Sequence, residues 1–232
     1  MTKPSIVFLH GSGTNADIFR LQTRKLAALL QPHFTLLYPD APYPSGPGPG
    51  VLPFFEGCDP FATWMDDSSA AAEDAYWSLE DDDSGAARLL ESVERLVREE
   101  GGGGELVGVV GFSMGAKVGM EVVRRLEGRE DAGGGGVKVV VCVCGTVPYR
   151  GGGDVAREEG GRRMLGRGVV RVQSVHLMGE TDPWRAEGEK LVGYFGEEGR
   201  KVMWFKGGHH MPAEDAVNKQ VARIMLAACG KV

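Results

Sequence analysis

The chain has 232 residues, a formal charge of −6 and an apolar fraction of 42%. That length fits one domain, residues 1–232, with a continuous core, and the charge gives no attraction for nucleic acid or an anionic membrane. No stretch reaches the roughly 20 apolar residues of a membrane span.

MTKPSIVFLH, residues 1–10, lacks the apolar core of a secretion signal and runs into a strand-like segment, so the cytosol is the expected location. After the SIVFLH strand and the turn-like HGSGTN, a helical period covers 16–30, with Ile18, Phe19, Leu26, Leu29 and Leu30 near one face. FTLLYP, 34–39, has strand length. Residues 41–77 follow no period: they begin with proline and glycine, then gather Phe54, Phe55, Phe61, Trp64, Tyr76 and Trp77. Long irregular loops in compact domains often wall a binding site, and Phe54, Phe55, Phe61 and Trp64 are the expected pocket residues here. The alternative is that these aromatics simply cover the sheet edge. Asp81-Asp82-Asp83 reads as a solvated loop.

Helical patterns then cover about 85–99, 114–127, 185–196 and 213–228. Between them lie strand-length runs: LVGVVGF (106–112), VKVVVCVCG (137–145), VVRVQSVHLMG (169–179) and KVMWFKGG (201–208). This alternation predicts a mostly parallel central sheet with helices on both faces and right-handed crossovers. Glycine runs at 101–104, 133–136 and 151–153 fall between elements and read as flexible loops without an assigned function. Of four cysteines, Cys142 and Cys144 alternate with valines and are expected on one side of a strand. No CxxC spacing accompanies them, so buried thiols are expected rather than a zinc site.

The chemistry concentrates in GVVGFSMGAK, residues 108–117. As a phosphate-binding loop it fails, because Ala116 separates Gly115 from Lys117 and Val118 stands where a hydroxyl would hold magnesium. It does satisfy GxSxG, the pattern of a strand that turns sharply into a helix with Ser113 at the apex. Side chains two residues either side of that apex would collide, and glycine removes them. A serine hydroxyl at neutral pH needs a base. In this arrangement an acid and then a histidine follow later in the chain, each just after a strand. Glu180-Thr181-Asp182-Pro183 follows one strand and His209-His210 follows the next, both at carboxyl ends where open α/β sheets bind ligands.

Asp182 is preferred over Glu180, which composition alone does not exclude. His209 is preferred over His210, because it directly follows two glycines that permit a tight approach. A two-histidine metal site is disfavoured, since adjacent histidines rarely converge on one ion. His10 reads as structural. A tetrahedral intermediate needs two oriented amides for its oxyanion. Met114, after the nucleophile, and Ser12, in the loop after the first strand, are the candidates.

With FLHGSGTN (8–15), YPDAPYP (38–44), GFSMGA (111–116), GETDPW (179–184) and GGHHMP (207–212), the chain resembles the α/β-hydrolase superfamily. More narrowly, it resembles a family of small eukaryotic serine hydrolases, common in fungi, that includes a human tumour-associated homologue and polyketide-releasing thioesterases of the lovastatin-pathway type. The resemblance implies an α/β-hydrolase fold without a large lid domain and supports His209 as the base. It implies a serine esterase or thioesterase without cofactor or metal. The substrate class would be a small-molecule or carrier-bound acyl group, with a polyketide synthase acyl carrier domain as a partner in secondary metabolism. Free small esters are the alternative substrate, and a non-hydrolytic ligand-binding protein is the alternative class. Met114 departs from the glutamine common in that family and makes the pocket wall more apolar.

Overall fold

Branched side chains suit a pleated surface, and the valine-rich runs of this chain assemble into one buried sheet. The computed structural model describes residues 2–65, 85–101, 104–127, 136–147 and 170–231. The glycine run at 151–153, residues 102–103 and 133–135 of the other two, the acidic run at 81–83, and Tyr76 and Trp77 lie outside these residues.

Six strands form a parallel sheet: β1 (Ser5–Leu9), β2 (Thr35–Leu37), β5 (Leu106–Phe112), β6 (Val139–Val143), β7 (Gln173–Gly179) and β8 (Arg200–Phe205). Their spatial order is β2-β1-β5-β6-β7-β8. The chain steps outward from β1 to β2 and returns to place β5 on the other side of β1. The crevice at the carboxyl ends of β1 and β5 is therefore the topological switch point, where such sheets bind ligands. A separate antiparallel pair, β3 (Tyr43–Ser45) and β4 (Phe61–Thr63), lies within the irregular region. These strands are three residues each, too short for a periodic signal to announce them.

Helices cover both faces. On one side α1 (Ala16–Leu30) packs on α5 (Asp215–Ala228), burying Phe19, Leu26, Leu30, Val221 and Met225 against Ile6, Phe8 and Val141. On the other, α2 (Gly85–Glu99), α3 (Met114–Glu127) and α4 (Arg185–Val192) bury Leu90, Val93, Val122 and Leu191 near Val7, Val109 and Val140. Neighbours along each strand thus go to opposite faces, the two-residue period of a sheet covered on both sides. Asn15 starts α1 by accepting from the Ile18 amide at 2.9 Å. The same side chain donates to Cys58 O and Pro60 O, tying the irregular region to the helix. Among the described residues, no helix is long and apolar enough to cross a membrane.

One expectation is corrected. Cys142 and Cys144 do not share a side. Strand β6 stops at Val143, and Cys144 adopts φ +47°, so Cys142 packs in the α2–α3 layer and Cys144 in the α1–α5 layer.

His176, in the middle of β7, is 2% exposed, with its ring edge-on to Phe195 and its Nε2 at 3.2 Å from Ser174 Oγ. Burial first, and Arg200 second, push its pKa down to about 4. Between that value and the ordinary 6.5 the unfolded chain binds more protons, so this stability is complete above pH 6.5 and is lost as pH falls towards 4. The loss amounts to roughly 3 kcal/mol. Urea denaturation at pH 7 and pH 4 is expected to show a drop smaller by about that amount in His176→Leu than in the wild type.

Candidate active site

The site begins with a backbone constraint. Ser113 follows β5 directly, has φ +52°, and donates its amide to Val143 O on the neighbouring strand at 2.9 Å. Left-handed backbone is costly for a residue with a Cβ, and its surroundings must hold it there. They do so by contact. A Cβ on Gly111 would meet Gly115 O at 2.3 Å and Ala116 Cα at 2.5 Å; one on Gly115 would meet Leu9 O at 2.1 Å. Both flanking positions therefore exclude any side chain, as the GxSxG spacing predicts.

Two later loops bring the other groups to this apex. The loops after β7 and β8 are cross-bonded: Glu180 N–H donates to Phe205 O and Thr181 N–H to Gly207 O. His209 accepts the Ser113 hydroxyl at Nε2, 2.9 Å away, and its Nδ1 lies 3.0 and 3.1 Å from the two Asp182 oxygens. Nε2 acting as acceptor leaves the proton on Nδ1, so the ring donates to the carboxylate. Asp182 also accepts the Trp184 amide at 2.8 Å. Its side chain is 2% exposed, against 12% for His209. Burial is the largest influence on Asp182 and alone would raise its pKa. Hydrogen bonds from His209 and the Trp184 amide, with the Cys144 thiol close by, outweigh it and hold the carboxyl below its usual value.

The structure separates the paired alternatives. Glu180 is exposed and does not line the cleft. His210 is held within its own loop, donating from Nδ1 to Met211 O at 2.8 Å and accepting the Gly208 amide at Nε2. Its ring leans on Phe205. His10 is buried: Nδ1 donates to Gly11 O at 2.8 Å and Nε2 accepts the Ala41 amide at 3.0 Å. It fixes the turn after β1, as expected of a structural histidine.

Ser12 and Met114 both line the cleft with Ser113. The neighbouring Gly13 amide is spent on Ala62 O, whereas among the described residues neither the Ser12 nor the Met114 amide has an intramolecular partner. Their side chains are linked. Ser12 Oγ lies 3.0 Å from Thr63 Oγ1, which donates to Met114 Sδ at 3.3 Å. Thr63 is thus a site residue the sequence did not reveal, since it sits in a three-residue strand. Trp184 and Phe112 are two more. Their rings lie 4.5 and 5.0 Å from the His209 ring and confine it from two sides. Trp184 stands in the quoted GETDPW motif, which was the available signal.

The cleft, about 740 Å³, is also lined by Phe54 and Phe55. The other two expected pocket aromatics are elsewhere. Trp64 is 1% exposed, with its indole N–H donating to His10 O at 2.7 Å, so it is spent on the core beneath the turn. Phe61 lines a separate cavity beside Asn15 and Cys58. Among the described residues, the irregular region therefore walls the cleft with its first aromatic pair and with Pro49, Gly50 and Val51 before it.

Residues 1–221 match the family model described as Serine hydrolase (FSH1). The chain belongs to the FSH1 serine hydrolase family. It is 30% identical to the Esterase FUS5 of Gibberella fujikuroi, over 96% of this chain and 86% of that protein. It is also 30% identical to the Thioesterase FSL2 of Gibberella zeae, over 97% of this chain and 92% of that one. Among solved structures, the Bacillus cereus carboxylesterase superposes with a TM-score of 0.59 at 17% identity, covering 97% of this chain and 89% of the other. Arabidopsis thaliana SOBER1 does so with a TM-score of 0.59 at 15% identity, covering 98% and 99%. These likenesses establish the α/β-hydrolase fold for this FSH1 hydrolase.

The backbone collision at Gly115 gives a direct test. Gly115→Ala drives a Cβ into backbone atoms that cannot rotate away and is expected to destabilise the protein by about 3 kcal/mol. Gly46→Ala, where a Cβ meets nothing within 4 Å, is expected to stay within about 0.5 kcal/mol in the same denaturation experiment.

Proposed function

We propose that this FSH1 hydrolase cleaves esters or thioesters by two-step acyl transfer, with Ser113 as nucleophile, His209 as base and Asp182 as the group that orients it. The observation that carries the reading is the continuous relay from Ser113 Oγ through the His209 ring to Asp182, with spacings of 2.9 and 3.0 Å. His209 takes the hydroxyl proton as Oγ attacks the carbonyl carbon, and Asp182 stabilises the imidazolium that results. The Ser12 and Met114 amides receive the oxyanion, each worth about 3–4 kcal/mol of transition-state stabilisation. His209 then protonates the leaving alcohol or thiol, and the same relay run with water frees the acid and regenerates Ser113. Neither step calls on a metal or cofactor.

For the acyl group, the lining residues Val51, Phe54, Phe55, Met114 and Met211 favour an apolar chain. The name of FSL2 as a thioesterase supports a thioester leaving group, and release of a polyketide chain from an acyl carrier domain is the form of that reaction proposed here. Free carboxylic esters would use the same groups.

The test is hydrolysis of p-nitrophenyl esters and of N-acetylcysteamine thioesters of matched chain length. kcat/KM is expected to rise from acetyl to hexanoyl by roughly threefold per methylene, the gain from burying each in an apolar cleft. Ser113→Ala should lower kcat at least about a thousandfold on both series. Turnover that survives this substitution would refute the assignment. Faster turnover of the thioester at every length would favour the carrier-bound substrate.

A further inference from the structure

Behind the acid of the relay sits a residue that the reaction as described does not use. Cys144 is the first residue after β6, and it is 3% exposed. Apart from Ser113, it is the only residue other than glycine with positive φ among the described residues. A cysteine gains nothing from left-handed backbone that glycine or asparagine would not supply better. The conformation is held on both sides. The Cys144 amide donates to Leu177 O at 2.8 Å, and the preceding Val143 carbonyl accepts the Ser113 amide. Strand β6 is thus bonded to the nucleophile turn at one residue and carries Cys144 at the next.

The turn after β6 delivers the thiol to the junction of two loops. Cys144 Sγ, an Asp182 oxygen and a His209 ring nitrogen all lie within 4.8 Å of one another. The sulfur is also 3.8 Å from Gly208 O and from His210 O. Three acceptors therefore surround one S–H, and the Asp182 carboxylate is the only charged one. A hydrogen bond to a charged acceptor is stronger than one to a carbonyl, and a buried carboxylate lacking donors is unfavourable. We propose that Cys144 is a positioning residue whose thiol, with the Trp184 amide and His209 Nδ1–H, completes the donors around Asp182 and sets the carboxylate facing the imidazole. This proposal rests on the Ser113–His209–Asp182 reading above.

Burial and the neighbouring Asp182 push the Cys144 thiol up to about 12. The group therefore stays protonated across the pH range in which an esterase works. That suits an obligate donor and does not suit a nucleophile or a metal ligand, both of which need the thiolate. The three-residue cluster accordingly reads as a hydrogen-bond network rather than an ion site.

Four variants of the full chain separate this role from simple packing. Cys144→Ser keeps a donor of similar size; Cys144→Ala removes it; Cys144→Gly removes it while relieving the left-handed backbone. On p-nitrophenyl butyrate, Cys144→Ser is expected within about threefold of wild-type kcat. Cys144→Ala and Cys144→Gly should both fall roughly tenfold with KM unchanged, and Cys144→Gly should do so without loss of thermal stability. The fourth variant, Asp182→Asn, is read by infrared spectroscopy. The S–H stretch assigned to Cys144 by subtraction of the Cys144→Ala spectrum should move to higher frequency when the carboxylate is replaced. Wild-type kcat in folded Cys144→Gly, equal losses in Cys144→Ser and Cys144→Ala, or an S–H band indifferent to Asp182→Asn would each overturn the proposal while leaving the relay intact. Undiminished turnover in Ser113→Ala, by contrast, would remove the relay itself and the proposal with it.

Discussion

The rest of the site depends on one strained turn. Ser113 stands in left-handed backbone at the end of β5 because its neighbours leave the chain no other path: Gly111 lies against the start of α3, and Gly115 lies against the carbonyls that end β1. The strain is local, whereas the contacts that hold it are spread over three elements. Gly119, one turn further along α3, would place a Cβ 2.8 Å from Val109, so the whole helix rides close on the sheet. The serine is fixed by the packing of α3 together with the bond from its amide to Val143 O, and a group fixed in advance needs no ordering step when it reacts.

What assembles around that serine follows from the order of parallel strands. β1, β5, β6, β7 and β8 each end at the same edge of the sheet and each contribute one part: the turn carrying Ser12, then Ser113, the strand end carrying Cys144, Asp182 and His209. The parts are cross-bonded by backbone. Val143 O holds the Ser113 amide, Leu177 O holds the Cys144 amide, and Phe205 O and Gly207 O hold the loop of Asp182. A shift in any one strand end would therefore move two members of the site together. The imidazole, set between Phe112 and Trp184 and donating to Asp182, has little freedom to leave the serine.

The sequence disclosed the parts of this design that repeat or punctuate. Long valine-rich strands and helices with an apolar stripe pointed to the sheet and its covering layers, and short motifs at strand ends marked Ser113, Asp182 and His209, whose side chains the structure brings together. Elements too short to carry a period stayed hidden. The β3–β4 pair is one, and with it Thr63, whose hydroxyl joins the side chains of Ser12 and Met114. Aromatic content also misled in part: Trp64 and Phe54 look alike as sequence, yet one is bonded to His10 O in the core and the other is 84% exposed at the cleft. Composition reports how much apolar surface a loop carries but not which way the loop folds. Cys144 escaped for a related reason. Strict alternation places it beside Cys142, and only the end of β6 one residue earlier turns it towards Asp182.

The central claim is that Ser113 is an activated nucleophile held against His209. Treatment with a fluorophosphonate probe, followed by intact mass and peptide mapping, tests it most directly. The account predicts a single adduct on Ser113, absent in Ser113→Ala and formed far more slowly in His209→Ala. Folded protein that takes no adduct, or takes one on another residue, would contradict it.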